Sequence, residues 1–203
     1  MEPVKNNKEE LPLEHYLARF RQGDPAEMAA RCRLPFENGA FSLNLMGQRF
    51  SVSFPDFTVT GDRPATNPER ILFLRYLLDG RYAAFGGQYL PYREFPWGEV
   101  YLQQFTGRCI RRFAFTYGSK PELLRQVAAA LPTEPVERGD VGFKLTLMDG
   151  LTMEFLLWQG DDEFPPNGQI LFSDNFRYAF TAEDMANIGD IVLGRMKQIA
   201  AEL

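Results

Sequence analysis

Histidine and cysteine are scarce. The only histidine is His15, which excludes any site that needs two imidazoles. Cys32 and Cys109 are the only two cysteines, too few to hold a structural zinc or an iron–sulfur cluster by themselves. There is no excess of positive charge: the formal net charge is -5. A nucleic-acid backbone is therefore a poor partner, since binding it needs clustered Lys and Arg. No apolar run is long enough to span a bilayer, so no membrane partner is expected. The opening MEPVKNNKEELP has no apolar signal core. It reads as a polar tail over residues 1–12, on a cytoplasmic protein whose thiols stay reduced.

What the chain has is ordinary globular composition with unusual aromatic content. Hydrophobic residues make up 45% and aromatics 14%, including 18 Phe. That is enough for a large core in one domain over residues 13–203. Leu13 to Arg33 reads as helix, with Tyr16, Leu17 and Phe20 on one face. It is broken at Gly23-Asp24-Pro25, where Asp24 caps a second piece.

Phe41 to Phe54 reads as a hairpin. A two-residue turn at Gly47-Gln48 would pair Leu45 with Phe50, Leu43 with Val52 and Phe41 with Phe54. Val141 to Leu157 reads as a second hairpin. A three-residue loop, Met148-Asp149-Gly150, would pair Leu147 with Leu151 and Lys144 with Glu154. Thr66 and Thr181 each open a capped apolar helix, and Ser119 to Glu122 has the spacing of a capping box. The C-terminal helix carries Met185, Ile188, Val192, Met196 and Ile199 on one stripe, with Asp184, Asn187, Lys197 and Gln198 as its polar residues. The stripe is expected to lie on the hairpin face of Phe143, Leu145, Met153 and Phe155.

The fold class that follows is α+β, with antiparallel hairpins at 41–54 and 141–157 packed by helices. FSLNLM at Phe41 and FKLTLM at Phe143 suggest two β-β-β-α units, in halves 13–80 and 119–203, with 81–118 inserted between them. The alternative is that two amphipathic hairpins look alike because they share one pattern.

Three clusters are candidate sites. Arg108, Arg111 and Arg112 would form an anion pocket, or else pair with carboxylates of the chain such as Glu94 or Glu99. Tyr89, Tyr92, Phe95 and Trp97 lie on an irregular, Pro-rich stretch. They would line a groove, or form a lid over the helix Ile71–Leu78. Asp161, Asp162 and Glu163 lack the spacing of a calcium loop and read as a solvated turn, so no metal is expected there. The thiols have no paired base and read as structural. No cofactor is expected.

The stretch Tyr92–Glu99 (YREFPWGE), the block Gly160–Asn175 (GDDEFPPNGQILFSDN) and the block Phe180–Met196 (FTAEDMANIGDIVLGRM) resemble an uncharacterised bacterial and archaeal domain family common in anaerobes. The resemblance runs from about Leu34 onward. It implies that some members are joined to a cysteine-rich iron–sulfur segment. It carries neither an activity nor a catalytic residue, and this chain has no four-cysteine cluster. The expectation is a non-catalytic binding or accessory module, serving anaerobic metal or cofactor metabolism, with an unknown protein or small molecule as partner. The alternative is an enzyme that acts on a small anionic substrate through an arginine and carboxylate cleft.

Overall fold

A computed structural model describes residues 10–203, with side chains from residue 13. The tail expected at 1–12 lies outside the described residues up to residue 9. Helix α1 (Glu10–Gln22) begins at residue 10. Asp24 accepts the amide of Ala26 at 2.8 Å and caps α2 (Pro25–Cys32) as its sequence requires.

Two antiparallel sheets follow, which makes the fold α+β. The first runs β1 (Phe36–Glu37), β2 (Ala40–Leu45), β3 (Gln48–Ser53), β4 (Val59–Gly61) in chain order, and helix α3 (Asn67–Asp79) comes next. The segment 81–118 holds β5 (Tyr89–Pro91), α4 (Gly98–Phe105), a π-helical turn (Thr106–Arg111) and α5 (Arg112–Tyr117). Helix α6 (Pro121–Ala129) has Lys120 at its start and no side-chain cap, so the capping box expected from Ser119 is not formed. The second sheet contains β6 (Thr133–Pro135), β7 (Val141–Met148), β8 (Leu151–Trp158) and β9 (Asn167–Ser173), again in chain order, and β5 is added outside β9. Helices α7 (Phe176–Ala179) and α8 (Ala182–Glu202) complete the chain.

Both hairpins form, and both differ from expectation at the tip. In the first, Leu43 faces Phe50 and Phe41 faces Val52, two residues from the expected register. The turn is Met46-Gly47, with φ of 48° and 77°, the left-handed pair that matches strand twist in a two-residue loop. A two-residue shift keeps every side chain on its face, so alternation alone does not distinguish these registers. Tertiary contact does. Met46 is buried, and its N–H donates to the Leu147 carbonyl of the other sheet at 2.7 Å.

That carbonyl belongs to the second irregularity. Leu145 faces Met153 and Phe143 faces Phe155 as expected, but Met148 rather than Leu147 pairs with Leu151, and the register shifts at Leu147. The loop is thus Asp149-Gly150. Asn44 donates to the Asp149 carboxylate at 2.9 Å, so the two hairpin tips are joined twice. Lys144 does stand opposite Glu154. Its ammonium instead pairs with Glu134 on β6 at 2.7 Å, and Glu154 pairs with Arg138.

The stripe on α8 is buried as its period requires: Met185, Ile188, Val192 and Met196 are each 0% exposed. It joins one hydrophobic core with Phe143, Leu145, Met153 and Phe155. The backbones beside α8 are those of α3, α4, the π turn and α6. On the hairpin face, Phe155 meets Phe113 of α5 at 5.4 Å between ring centroids. Helices α5 and α6 and the π turn lie beside this sheet, and their position is not encoded in the periodicity of α8.

Ile188→Ala removes a fully buried side chain and leaves a cavity, so it should lower unfolding free energy by about 2–5 kcal/mol. Asn187→Ala, at an exposed position, should cost about 0.5 kcal/mol or less. Urea melts check the pair, and equal losses would place the stripe elsewhere.

Candidate functional site

A groove of about 710 Å³ lies between α3 and α8. It starts from two helix ends built alike. Thr66 Oγ1 accepts the amide of Glu69 at 3.4 Å, and the Glu69 carboxylate accepts the amide of Thr66 at 2.8 Å. Thr181 Oγ1 accepts the amide of Asp184 at 3.3 Å, and Asp184 accepts the amide of Thr181 at 3.0 Å. Both are capping boxes with an acid in the first helical turn, where the helix dipole favours negative charge.

Each capping acid is also buried and paired. Arg63 grips Glu69 with two bonds, at 2.8 and 2.5 Å. Burial alone would raise the Glu69 carboxyl, but the Arg63 bonds and the Thr66 amide hold it below the ordinary carboxylate range. Arg75 of α3 reaches across to Asp184 of α8 through Nη2, at 2.9 Å, and through Nε. It also donates to Thr181 Oγ1 at 3.2 Å and to the Tyr16 hydroxyl. Asp184, read from the sequence as part of the polar face, is only 4% exposed because this pair draws it inward.

The expected arginine cluster divides. Arg108 and Arg112 converge on one carboxylate, Asp190 of α8, with Arg112 at 3.1 Å. Their partner is Asp190 rather than Glu94 or Glu99. Arg111 does not line the groove. Phe105, Cys109 and Phe113, spaced four residues apart through the π turn, all face inward, each 0% exposed. Arg108 and Arg112 then lie together toward α8. Gly189 of α8 gives Cys109 its room: a Cβ there would come within 2.6 Å of the Cys109 sulfur.

The aromatic cluster also divides. Tyr92 and Phe95 are buried, 1% and 4% exposed. Tyr92 stacks on Phe105 at 4.1 Å and donates its hydroxyl to the Ala182 carbonyl at 2.7 Å. Phe95 lies edge-on to Phe172 of β9. Tyr89 hydrogen-bonds Thr152 at 2.7 Å, and Trp97 stands 76% exposed. The surface covered is that of β9 and α4. In the acidic turn, Asp161 accepts the amides of Glu163 and Phe164 at 2.9 and 2.7 Å. Asp174 accepts those of Gly86 and Gln88 at 2.8 and 3.3 Å. Among the described residues no group of three or more His, Cys, Asp or Glu side chains gathers as metal ligands would.

The groove residues that the sequence reading missed are Arg63, Arg75, Asp184, Asp190 and Arg195. The two Thr-x-x-acid boxes were visible, but each reads first as a cap. Nothing local says that the capping acids of two helices 115 residues apart, Glu69 and Asp184, border one cleft. Arg195 sits one helical turn beyond Ile191 on the same side of α8. Among the described residues it reaches Gln198 at 3.4 Å and no carboxylate. Beside it Gly194 faces open space, with nothing within 4 Å of a Cβ built there. A glycine inside a helix costs about 1 kcal/mol relative to alanine, so the bare backbone has a price and leaves room in the groove.

A family model described as "Domain of unknown function (DUF3786)" matches residues 24–195. The chain belongs to this family. The matched span takes in both sheets, α3 and all but the last turns of α8, so every groove-lining residue except Gln198 lies within it. No curated protein matches the chain. No solved structure matches it either. No helix among the described residues is long and apolar enough to cross a membrane.

Arg75→Ala should be severe. It leaves the Asp184 carboxylate buried without its cation, which costs about 3–5 kcal/mol, whereas Arg108→Ala on the half-exposed Asp190 pair should cost about 1 kcal/mol or less. Chemical denaturation of the two variants checks the ranking.

Burial pushes the Cys32 thiol up to about 11 and the Cys109 thiol up to about 12. At neutral pH a thiol reagent such as iodoacetamide should leave both unlabelled in the folded protein and label both in denaturant. Mass spectrometry reads the result.

Proposed function

We propose that the protein is a non-catalytic binding module that holds a small anionic ligand in the groove between α3 and α8. The observation that carries this reading is the charge of the groove wall. Four arginines line it, Arg63, Arg75, Arg108 and Arg195, against three carboxylates, Glu69, Asp184 and Asp190. Every carboxylate is engaged by an arginine, and Arg195 is left over. The surplus is positive in a chain whose net charge is -5.

The same pairing weighs against the enzyme alternative. Each groove carboxylate is held by a guanidinium, so none stands ready as a general base. Neither thiol lines the groove, His15 is exposed on α1, and Thr66, the hydroxyl residue of the wall, serves as a helix cap. Polar groups that fix orientation around an apolar floor are what a ligand pocket requires.

The cellular setting belongs to the same proposal. A cytoplasmic module serving anaerobic metal or cofactor metabolism is supported by the resemblance. The duplication belongs to this proposal too. Each half runs a meander in chain order to a helix with a Thr-x-x-acid capping box, directly in the first and after the short α7 in the second, and the groove lies between those two helices.

A thermal-shift screen of anionic metabolites tests the function. Ligands that bind only the folded state raise the melting temperature, by about 2.7 kcal/mol of added stability at one hundred times Kd. At least one anion should stabilise the wild-type protein and fail to stabilise Arg195→Gln. Anions that stabilise both equally would place the site outside the groove.

A further inference from the structure

We propose that the groove selects a monoanion with an apolar body, such as an aryl- or alkyl-substituted carboxylate, over polyanions such as pyrophosphate or a nucleotide. The inference rests on the reading of the groove as a ligand site and goes on to name the ligand class.

The first argument is charge. Arg63 and Arg75 already hold a carboxylate through two nitrogens each, and Asp190 takes both Arg108 and Arg112. Of the four groove arginines, Arg195 is the one with no carboxylate partner among the described residues, so the wall neutralises one negative charge well and a second poorly. A polyphosphate would meet Glu69, Asp184 and Asp190 as well as the arginines, and like charge at short range opposes it. A carboxylate fits the planar fork of one guanidinium through two parallel bonds.

The second argument is the floor. Ile71 and Leu72 of α3 and Ile191 and Gly194 of α8 line the groove between its charged ends. Ile71, Ile191 and Gly194 are half-buried, so they offer apolar surface that a ligand would remove from water. Gly194 lies directly before Arg195, and the space above it is open. A ligand whose carboxylate meets Arg195 would lay its hydrocarbon or ring across that bare backbone. Inorganic anions have no group to place there.

The probes are 4-phenylbutyrate, its neutral analogue 4-phenylbutanol, and pyrophosphate, each titrated into the full chain by calorimetry. Wild type should bind 4-phenylbutyrate at least about tenfold more tightly than the alcohol or pyrophosphate, since the carboxylate gains charge-assisted bonds that the alcohol cannot make. Arg195→Gln should weaken 4-phenylbutyrate about tenfold or more and leave the alcohol unchanged. Gly194→Phe starts from a Cβ with no neighbour within 4 Å and extends its ring into the groove; with a wild-type melting temperature, it should bind neither organic probe. Gly194→Ala provides the milder version. Pyrophosphate binding tightest, and lost in Arg195→Gln, would overturn the ligand class and keep the groove as an anion site. No binding by any of the three, or 4-phenylbutyrate binding unaffected by Gly194→Phe and Arg195→Gln, would overturn both.

Discussion

The pair between Arg75 and Asp184 is the constraint on which the rest of the molecule turns. It joins the last turns of α3, from the first half of the chain, to the first turn of α8, from the second. Both partners lie largely out of solvent, with side chains 18% and 5% exposed. A buried pair is weak evidence of stability in itself, because desolvation offsets much of the attraction. What it does supply is position. Asp184 is already fixed by the Thr181 cap, and Arg75 is held by Tyr16 of α1, so three elements meet at one guanidinium. Both partners also line the groove between α3 and α8.

The remaining groove charges follow from similar local rules applied at a distance. The start of a helix attracts an acid, the acid attracts an arginine once it is buried, and burial then depends on which helices come together. Arg63 closes on Glu69 within six residues. Arg108 and Arg112, four residues apart, share one side of their helix and both reach Asp190, while Phe105, Cys109 and Phe113 face inward. Arg195, on the last turns of α8, lies beyond the reach of those carboxylates.

Much of this architecture was legible in the amino-acid order. The hydrophobic period located both hairpins, the faces of their strands and the buried stripe of α8. Capping residues marked where α2, α3 and α8 begin. These signals are local: a pleated strand alternates every two residues, a helix repeats every 3.6, and a cap needs one side chain and one amide. The aromatic stretch around Tyr92 was conspicuous for the same reason, although two of its rings serve the core.

Tertiary structure alone decided what happens where two such elements touch. The first hairpin turns at Met46-Gly47 rather than Gly47-Gln48 because the Met46 amide meets the Leu147 carbonyl, and the second hairpin bulges at that residue. A shift of two residues leaves the pattern of faces unchanged, so no reading of alternation separates the registers. The groove is of the same kind. Its arginines and carboxylates are spread from Arg63 to Arg195, and each has an ordinary local reading as cap, ion pair or solvated surface. Only the approach of α3 to α8 makes them one wall, because side-chain charge acts over a few ångströms and the chain reports no distances between residues far apart in order.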